Sequence, residues 1–229
     1  MKSGSGAQGM RRADHVAIAQ FIDAGELVLD VGCGDGQLME LLQLERGART
    51  RGLEVEQAGV NRCVSKGLAV VQGDADRDLP VYPDAAFDAA ILSKTIQELA
   101  RPKFVLGELS RIARKTIISF RNYGHWKVRT ALLTSGRIPS LASNSGWWSD
   151  GARRPCTARD MAELAEELGL KITAATAVSG TPVTASAVVA NLWKREAIGA
   201  RRCGGTPEGR RRTRSSASAR AAAAPSRAG

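Results

Sequence analysis

The stretch LVLDVGCGDGQLMELL, residues 27–42, constrains the fold more than any other part of this chain. An apolar run ends in Asp30 and Val31, glycines then alternate at Gly32, Gly34 and Gly36, and a segment of helical character follows. This reads as a buried strand, a sharp turn and a helix start. Alternating glycines let the backbone turn tightly and approach a ligand without interference from Cβ atoms. A helix N-terminus adds free N–H groups and a partial positive charge, which suits a carboxylate or phosphate. A dinucleotide fingerprint would place its third glycine at position 37, which is Gln37; here it comes one residue early. A Walker A loop needs Gly-Lys-Ser/Thr, and the sequence contains none. Cys33, inside the loop, reads as a small spacer rather than a nucleophile.

Around this stretch, short apolar runs alternate with helical segments. Residues 13–22 predict a helix with Val16, Ile18, Ala19 and Ile22 inward. Strands are expected at 27–31, 50–55, 69–72, 87–92 and 116–120. Helices are expected at 37–44, at 57–66 with Gly67 as C-cap, and at 101–111 with Pro102 near its start. Thr157 with Asp160 opens a helix that Gly169 closes, and strands at 171–175 and 187–193 complete the pattern. Strands alternating with helices imply an α/β fold with one doubly wound, mostly parallel sheet. Its ligand would lie beyond the carboxyl ends of the strands. No internal repeat is present, which excludes solenoids and propellers.

Charge and cysteine usage narrow the function classes. The net charge is +10, but from Gly199 onward eight arginines face a single acid, Glu208, so +7 of it belongs to the tail and only +3 to the rest. A nucleic-acid role would rest almost entirely on that tail, and is not expected. The predicted organisation is a flexible leader at 1–10, one domain at 11–196, and a disordered Arg/Ala-rich tail at 197–229. No apolar run is long enough for a membrane span, and residues 1–12 lack the apolar stretch of a signal peptide. Cys33, Cys63, Cys156 and Cys203 form no Cys-x-x-Cys pair, so no structural zinc is expected and a reducing cytoplasm fits best.

Asp30-Val31-Gly32-Cys33-Gly34-Asp35-Gly36 resembles the first motif of the class I S-adenosylmethionine-dependent methyltransferases. The second strand ends in Gly52-Leu53-Glu54 and the third in Gln72-Gly73-Asp74-Ala75, in register with that superfamily. The resemblance implies a Rossmann-like methyltransferase fold that binds S-adenosylmethionine or S-adenosylhomocysteine. Glycine backbone of Gly32, Cys33, Gly34 and Gly36 would line the methionine part, with Asp30 near its ammonium group. Glu54 would take the ribose hydroxyls, and Asp74 with Ala75 would meet the adenine. Two alternatives stay open: Glu54 also suits a helix cap, and Asp74 also suits a turn. Asp35 fits a structural or a ligand role equally.

Beyond the loop the resemblance narrows. The segments VVQGD (70–74), FDAAILSKTIQ (87–97), IISFRNYGHWKVR (117–129) and GRIP (136–139) are similar to the family of methionine-biosynthesis protein MetW. So is Cys156-Thr157 followed by Arg159-Asp160. The resemblance implies a role in methionine synthesis beside homoserine O-acyltransferase, which the family binds and activates. Two departures stand out: Arg121 where the family usually has Pro, and SDGARRP at 149–155 in place of a more apolar segment.

The competing reading is a working small-molecule methyltransferase. For that chemistry a nucleophile must lie in line with the sulfonium, sometimes with a base to take the proton. The Pro-Pro-aromatic motif of base-methylating enzymes is replaced by LSKTIQ (92–97), in which Ser93 and Gln97 offer only hydrogen bonds. His125 is the one candidate base in the second half; its other reading is a loop histidine packed on Trp126. His15 is expected to be structural or exposed. Trp147 and Trp148 suit a pocket cover or a protein contact, and equally a place in the core.

Overall fold

The computed structural model describes residues 12–136, 154–178 and 187–194. Seven strands form one sheet: β1 (Leu27–Val31), β2 (Arg49–Glu54), β3 (Val70–Gln72), β4 (Phe87–Ser93), β5 (Ala113–Arg121), β6 (Leu170–Val178) and β7 (Ala187–Lys194). Their order is β3-β2-β1-β4-β5-β7-β6. Strands β1 to β5 pair in parallel, and β7 runs antiparallel to both β5 and β6. The helices are α1 (Ala13–Ala19), α2 (Gln37–Arg46), α3 (Gln57–Ser65), α4 (Ala75–Asp78), α5 (Pro102–Ile112), α6 (Trp126–Ser135) and α7 (Ala158–Glu167). This is the expected doubly wound, mostly parallel architecture.

Strand periodicity explains the two-sided core. Val28 on β1, Ala89 and Ile91 on β4 and Ile117 on β5 pack with Ile18, Ile22, Leu38 and Leu42 from the side of α1 and α2. Their alternating neighbours, Leu29, Val31, Ala90, Leu92 and Ile118, pack on the other face with Val105, Leu106 and Leu109 of α5 and Met161 and Ala165 of α7. Burial on both faces is why β1 and β4 read as continuous apolar runs. The winding reverses between β1 and β4, so a crevice opens beyond their carboxyl ends, where folds of this kind hold ligands.

The capping signals behave as their chemistry requires. Thr157 Oγ1 accepts from the Asp160 N–H (3.2 Å) and the Asp160 carboxylate accepts from the Thr157 N–H (2.8 Å), forming a capping box on α7. Gly169 then turns the chain at φ +68°.

Three expectations need correction. The first helix ends at Ala19, and Val16 points outward, 37 % exposed. Ile18, Ala19 and Ile22 are buried as expected, and Asp14, His15 and Ala17 are buried with them, Asp14 on the cationic partners Arg12 and Lys94. The loop expected after β5 is instead helix α6, with His125 as its N-cap. A short helix, α4, and a 3₁₀ turn at Leu79–Val81 follow β3 where only a turn was expected. The leader, the Arg-rich tail, Trp147 and Trp148 lie outside the described residues. Among the described residues, no helix is long and apolar enough to cross a membrane.

Candidate cofactor site

All three loop glycines adopt left-handed conformations: Gly32 at φ +72°, Gly34 at +60° and Gly36 at +78°. They serve different neighbours. A Cβ on Gly32 would lie 2.5 Å from Thr95 Oγ1, and one on Gly36 would lie 2.3 Å from Leu68 Cδ1. A Cβ on Gly34 would meet nothing within 4 Å. Two of the glycines therefore admit protein, the loop's anchors to β4 and to the α3–β3 connection. Only Gly34 borders open space, at the crevice.

The loop's backbone is held from beneath by β2. The Gly32 N–H donates to the Leu53 carbonyl (2.8 Å), and Gly36 N–H to that of Cys33 (3.0 Å). Glu54, at the end of β2, accepts from the Gly34 N–H through Oε2 (2.7 Å) and from the Glu56 N–H through Oε1 (2.9 Å). It is nearly buried. Glu54 does not cap α3; it ties the second strand to the glycine loop, and each oxygen keeps a further lone pair for a hydroxyl.

Asp30 is the least comfortable group of the site. It is 1 % exposed, and its Oδ1 is buried without a hydrogen-bond partner. Burial, reinforced by the nearby Glu54 charge, pushes its carboxyl up to about 7. A buried carboxyl with an unpartnered oxygen, two residues before the first loop glycine, fits a cationic group of a ligand, such as an ammonium. The donor set thus suits an amino-acid-bearing nucleotide.

Cys33 contributes backbone to the loop, but its side chain belongs to the core. Its Sγ sits 3.9 Å from Cys63 Sγ and fills the space over Gly52. Burial raises the thiol strongly, so it is an inert spacer. Asp74 is the N-cap of α4, its side chain accepting from the Asp76 N–H (2.9 Å), and Ala75 is buried behind it. The turn role of Asp74 is thereby filled, while its half-exposed carboxylate remains accessible. Asp35 accepts from Gln37 at the rim and its carboxyl is lowered by those bonds, against a modest burial that acts to raise it. Ser93 ends β4, its hydroxyl 3.4 Å from that of Ser119.

Two sequence candidates prove to be structural fasteners. Gln97 is buried and fully engaged: its Nε2 donates to the Arg121 and Arg154 carbonyls (3.1 Å each), and its Oε1 accepts from the Arg121 N–H (3.0 Å). It stitches β5 to the segment before α7, with both amide hydrogens committed there. His125 Nδ1 accepts from the Lys127 N–H (3.4 Å), capping α6, with Trp126 beside it.

Sequence reasoning missed a group of polar side chains that α1 and the end of β4 bring together. Lys94, the first residue beyond β4, has φ +63°, rare for a residue with a Cβ. Its Nζ lies 3.1 Å from Asp14 Oδ2, and Arg12 Nη2 lies 2.6 Å from the same oxygen. Those cations hold the buried Asp14 carboxyl at about 2 against the opposing effect of burial. Neighbouring His15 is buried too, and desolvation with Arg12 lowers it to about 4, so it is neutral at pH 7. The left-handed Lys94 was the only local signal, and no sequence pattern reveals it.

Comparison with known proteins agrees with this fold. The family model "Methionine biosynthesis protein MetW" matches residues 12–199. The bifunctional methionine biosynthesis protein MetXA/MetW of Rhodopirellula baltica is 31 % identical over 169 residues, covering 69 % of this chain. The match covers 27 % of that relative, so this chain corresponds to about a quarter of its length. Among solved structures, an S-adenosylmethionine-dependent methyltransferase from Mesorhizobium loti superposes with a TM-score of 0.63 at 15 % identity, over 80 % of this chain and 99 % of the other. Magnesium protoporphyrin IX methyltransferase from Synechocystis PCC 6803, with bound SAH, gives 0.62 at 16 % identity, over 79 % and 82 %. Such identities speak for the fold alone.

Proposed function

Since the chain belongs to the MetW family of methionine biosynthesis proteins, we propose that it binds S-adenosylmethionine or S-adenosylhomocysteine and acts with homoserine O-acyltransferase in methionine synthesis. The observation that carries the partnership is the R. baltica relative, whose name joins MetXA and MetW in one chain. Cofactor binding is supported by the orphaned, buried Asp30 oxygen and by the open space beside Gly34, both in the β1–α2 turn region. In this reading Gly34 backbone, flanked by Gly32, Cys33 and Gly36, borders the methionine part, Asp30 compensates its ammonium, Glu54 accepts from the ribose hydroxyls, and Asp74, Ala75 and Ser93 border the remainder. The bound nucleotide would then shift the complex between states of different acyltransferase activity, coupling the pathway's downstream product to an early step.

The second reading, a small-molecule methyltransferase, draws on the same loop. Neither histidine favours it: His125 Nδ1 is engaged in capping α6, and His15 is buried beside Asp14. One experiment separates the two. Acyltransferase turnover is measured with and without this protein, each with and without S-adenosylmethionine carrying a labelled methyl group. The regulatory reading expects a changed acyltransferase rate that responds to the cofactor, with the label staying on it. An unchanged rate with label transferred to a metabolite extract would overturn it in favour of the enzyme.

A further inference from the structure

We propose that the uncovered half of the sheet face at β2 and β3, where Arg49, Arg51, Val71 and Val81 border an apolar trough, docks an acidic segment of the acyltransferase that carries an apolar side chain. The inference rests on the partnership proposed above, and goes further in assigning the surface that makes it.

Strand alternation locates this surface. Thr50 bonds to Gln43 of α2 and Gly52 packs on Cys33 and Met39, so Arg49, Arg51 and Leu53 take the opposite face of β2. Leu53 belongs to the core on the α5 side, and Val71, its register partner on β3, faces the same way. Along β1 and β4 that face is covered by α5 and α7. Beside β2 and β3 the described residues supply only α4, four residues long, and the 3₁₀ turn Leu79–Val81. A sheet of this class is ordinarily covered on both faces. Here Arg49 and Arg51 stand exposed, with Val71 59 % and Val81 84 % exposed.

The gap is a trough of about 440 Å³ lined by Leu27, Val70, Val71, Tyr82 and Phe87, with Arg51 as a charged member. Tyr82 and Phe87 pack edge to face within it, 5.7 Å between ring centroids. Leu27, Val70 and Phe87 are the first residues of their strands, so the trough lies at the amino ends and the cofactor crevice at the carboxyl ends.

Charge selects the occupant. Among the described residues neither Arg49 nor Arg51 forms an ion pair or a side-chain hydrogen bond. Two uncommitted guanidiniums beside apolar surface are the complement of carboxylates on an apolar segment. The chain's own Arg-rich tail, at +7, is repelled from them. A second copy docked isologously would crowd the same arginines onto one patch. Apolar surface rimmed by polar groups marks protein contacts, and arginine is enriched there.

Strand β2 also joins this surface to the crevice. Three residues beyond Arg51, Glu54 accepts from the Gly34 N–H (2.7 Å), and the Leu53 carbonyl accepts from the Gly32 N–H (2.8 Å). Partner and nucleotide thus bear on one strand from its two ends, a physical link through which each alters the other's affinity.

The test is interferometric binding of the full chain to homoserine O-acyltransferase of the same organism, for wild type, Arg51→Glu, Arg51→Gln and Arg62→Glu. Arg62→Glu reverses an exposed charge on α3, across the sheet. Arg51→Glu should raise the Kd about tenfold or more. Arg51→Gln should raise it severalfold and lessen its salt dependence, while Arg62→Glu stays within about twofold of wild type. Without the partner, Tm and S-adenosylhomocysteine affinity should match wild type in all three. Weakening alike by Arg51→Glu and Arg62→Glu, or weakening by neither, overturns the inference and leaves the partnership standing. So does a wild-type dimer that Arg51→Glu splits, which gives the face to a second copy. A Tm fall in both Arg51 variants overturns it too, giving the face to the chain's own residues. A wild type that does not bind the acyltransferase overturns the partnership itself, and this surface with it.

Discussion

Replacing Asp30 with asparagine should stabilise the free protein while weakening its ligand binding. In the folded chain the carboxyl is pushed from its ordinary 3.8 up to about 7 by burial and by Glu54. The folded state therefore holds this proton more tightly than the unfolded chain does. Below about pH 4 both states are protonated and the group is neutral in its effect. As pH rises from about 4 to about 7 the unfolded chain ionises first, stability is lost progressively, and above 7 the loss is constant. At about 1.4 kcal/mol per pH unit, the ceiling is roughly 4 kcal/mol. Asparagine resembles the protonated acid in shape and in its buried polar burden, so it removes only the titration. Urea denaturation of both proteins at pH 5 and pH 8 provides the assay. The advantage of Asp30→Asn should grow by about 2–3 kcal/mol between those pH values, and titrations of groups that do not interact with Asp30 cancel in the comparison. An advantage that does not change with pH, or a variant less stable at pH 8 than at pH 5 relative to wild type, would refute the reasoning.

The glycines should separate by their neighbours. Gly34→Ala is expected to cost about 1–2 kcal/mol for its left-handed backbone alone; Gly36→Ala, whose Cβ meets Leu68, should cost a further 1–3 kcal/mol or so, read from denaturation midpoints. Glu54→Gln, which exchanges a charged acceptor of two N–H groups for an amide, should cost about 1–3 kcal/mol and also weaken S-adenosylhomocysteine binding. Thr157→Ala should cost about 1 kcal/mol through loss of the α7 capping box and leave ligand binding unchanged; an effect on binding would mean that α7 communicates with the crevice.

The parts of this fold legible in the sequence are those governed by neighbours along the chain. Strands β1 and β4 announce themselves because burial on both faces demands an unbroken apolar run. The α7 capping box is readable because its two members lie three residues apart, and the loop glycines because their spacing is itself the signal. What stayed hidden depends on partners distant in sequence. The burial of Asp14 depends on Lys94, eighty positions later, and no pattern in residues 13–22 shows that Asp14 faces inward while Val16 faces out. Gln97 resembled a ligand donor because its backbone partners at Arg121 and Arg154 are set by folding. Helix α6 escaped because only Val128 among its residues is buried, leaving almost no periodic apolar stripe. Nor does any pattern show that Gly32 and Gly36 make room for Thr95 and Leu68, while Gly34 alone borders the crevice.

The account's central claim is that the glycine loop and the end of β2 hold the cofactor. Amide hydrogen exchange of the full chain with and without S-adenosylhomocysteine tests it most directly. The account expects exchange to slow at residues 33–36, 54–56 and 74–76, while the amides of α7 keep their rates. Unchanged rates at residues 33–36 and 54–56 under saturating ligand, or protection confined to other segments, would contradict it.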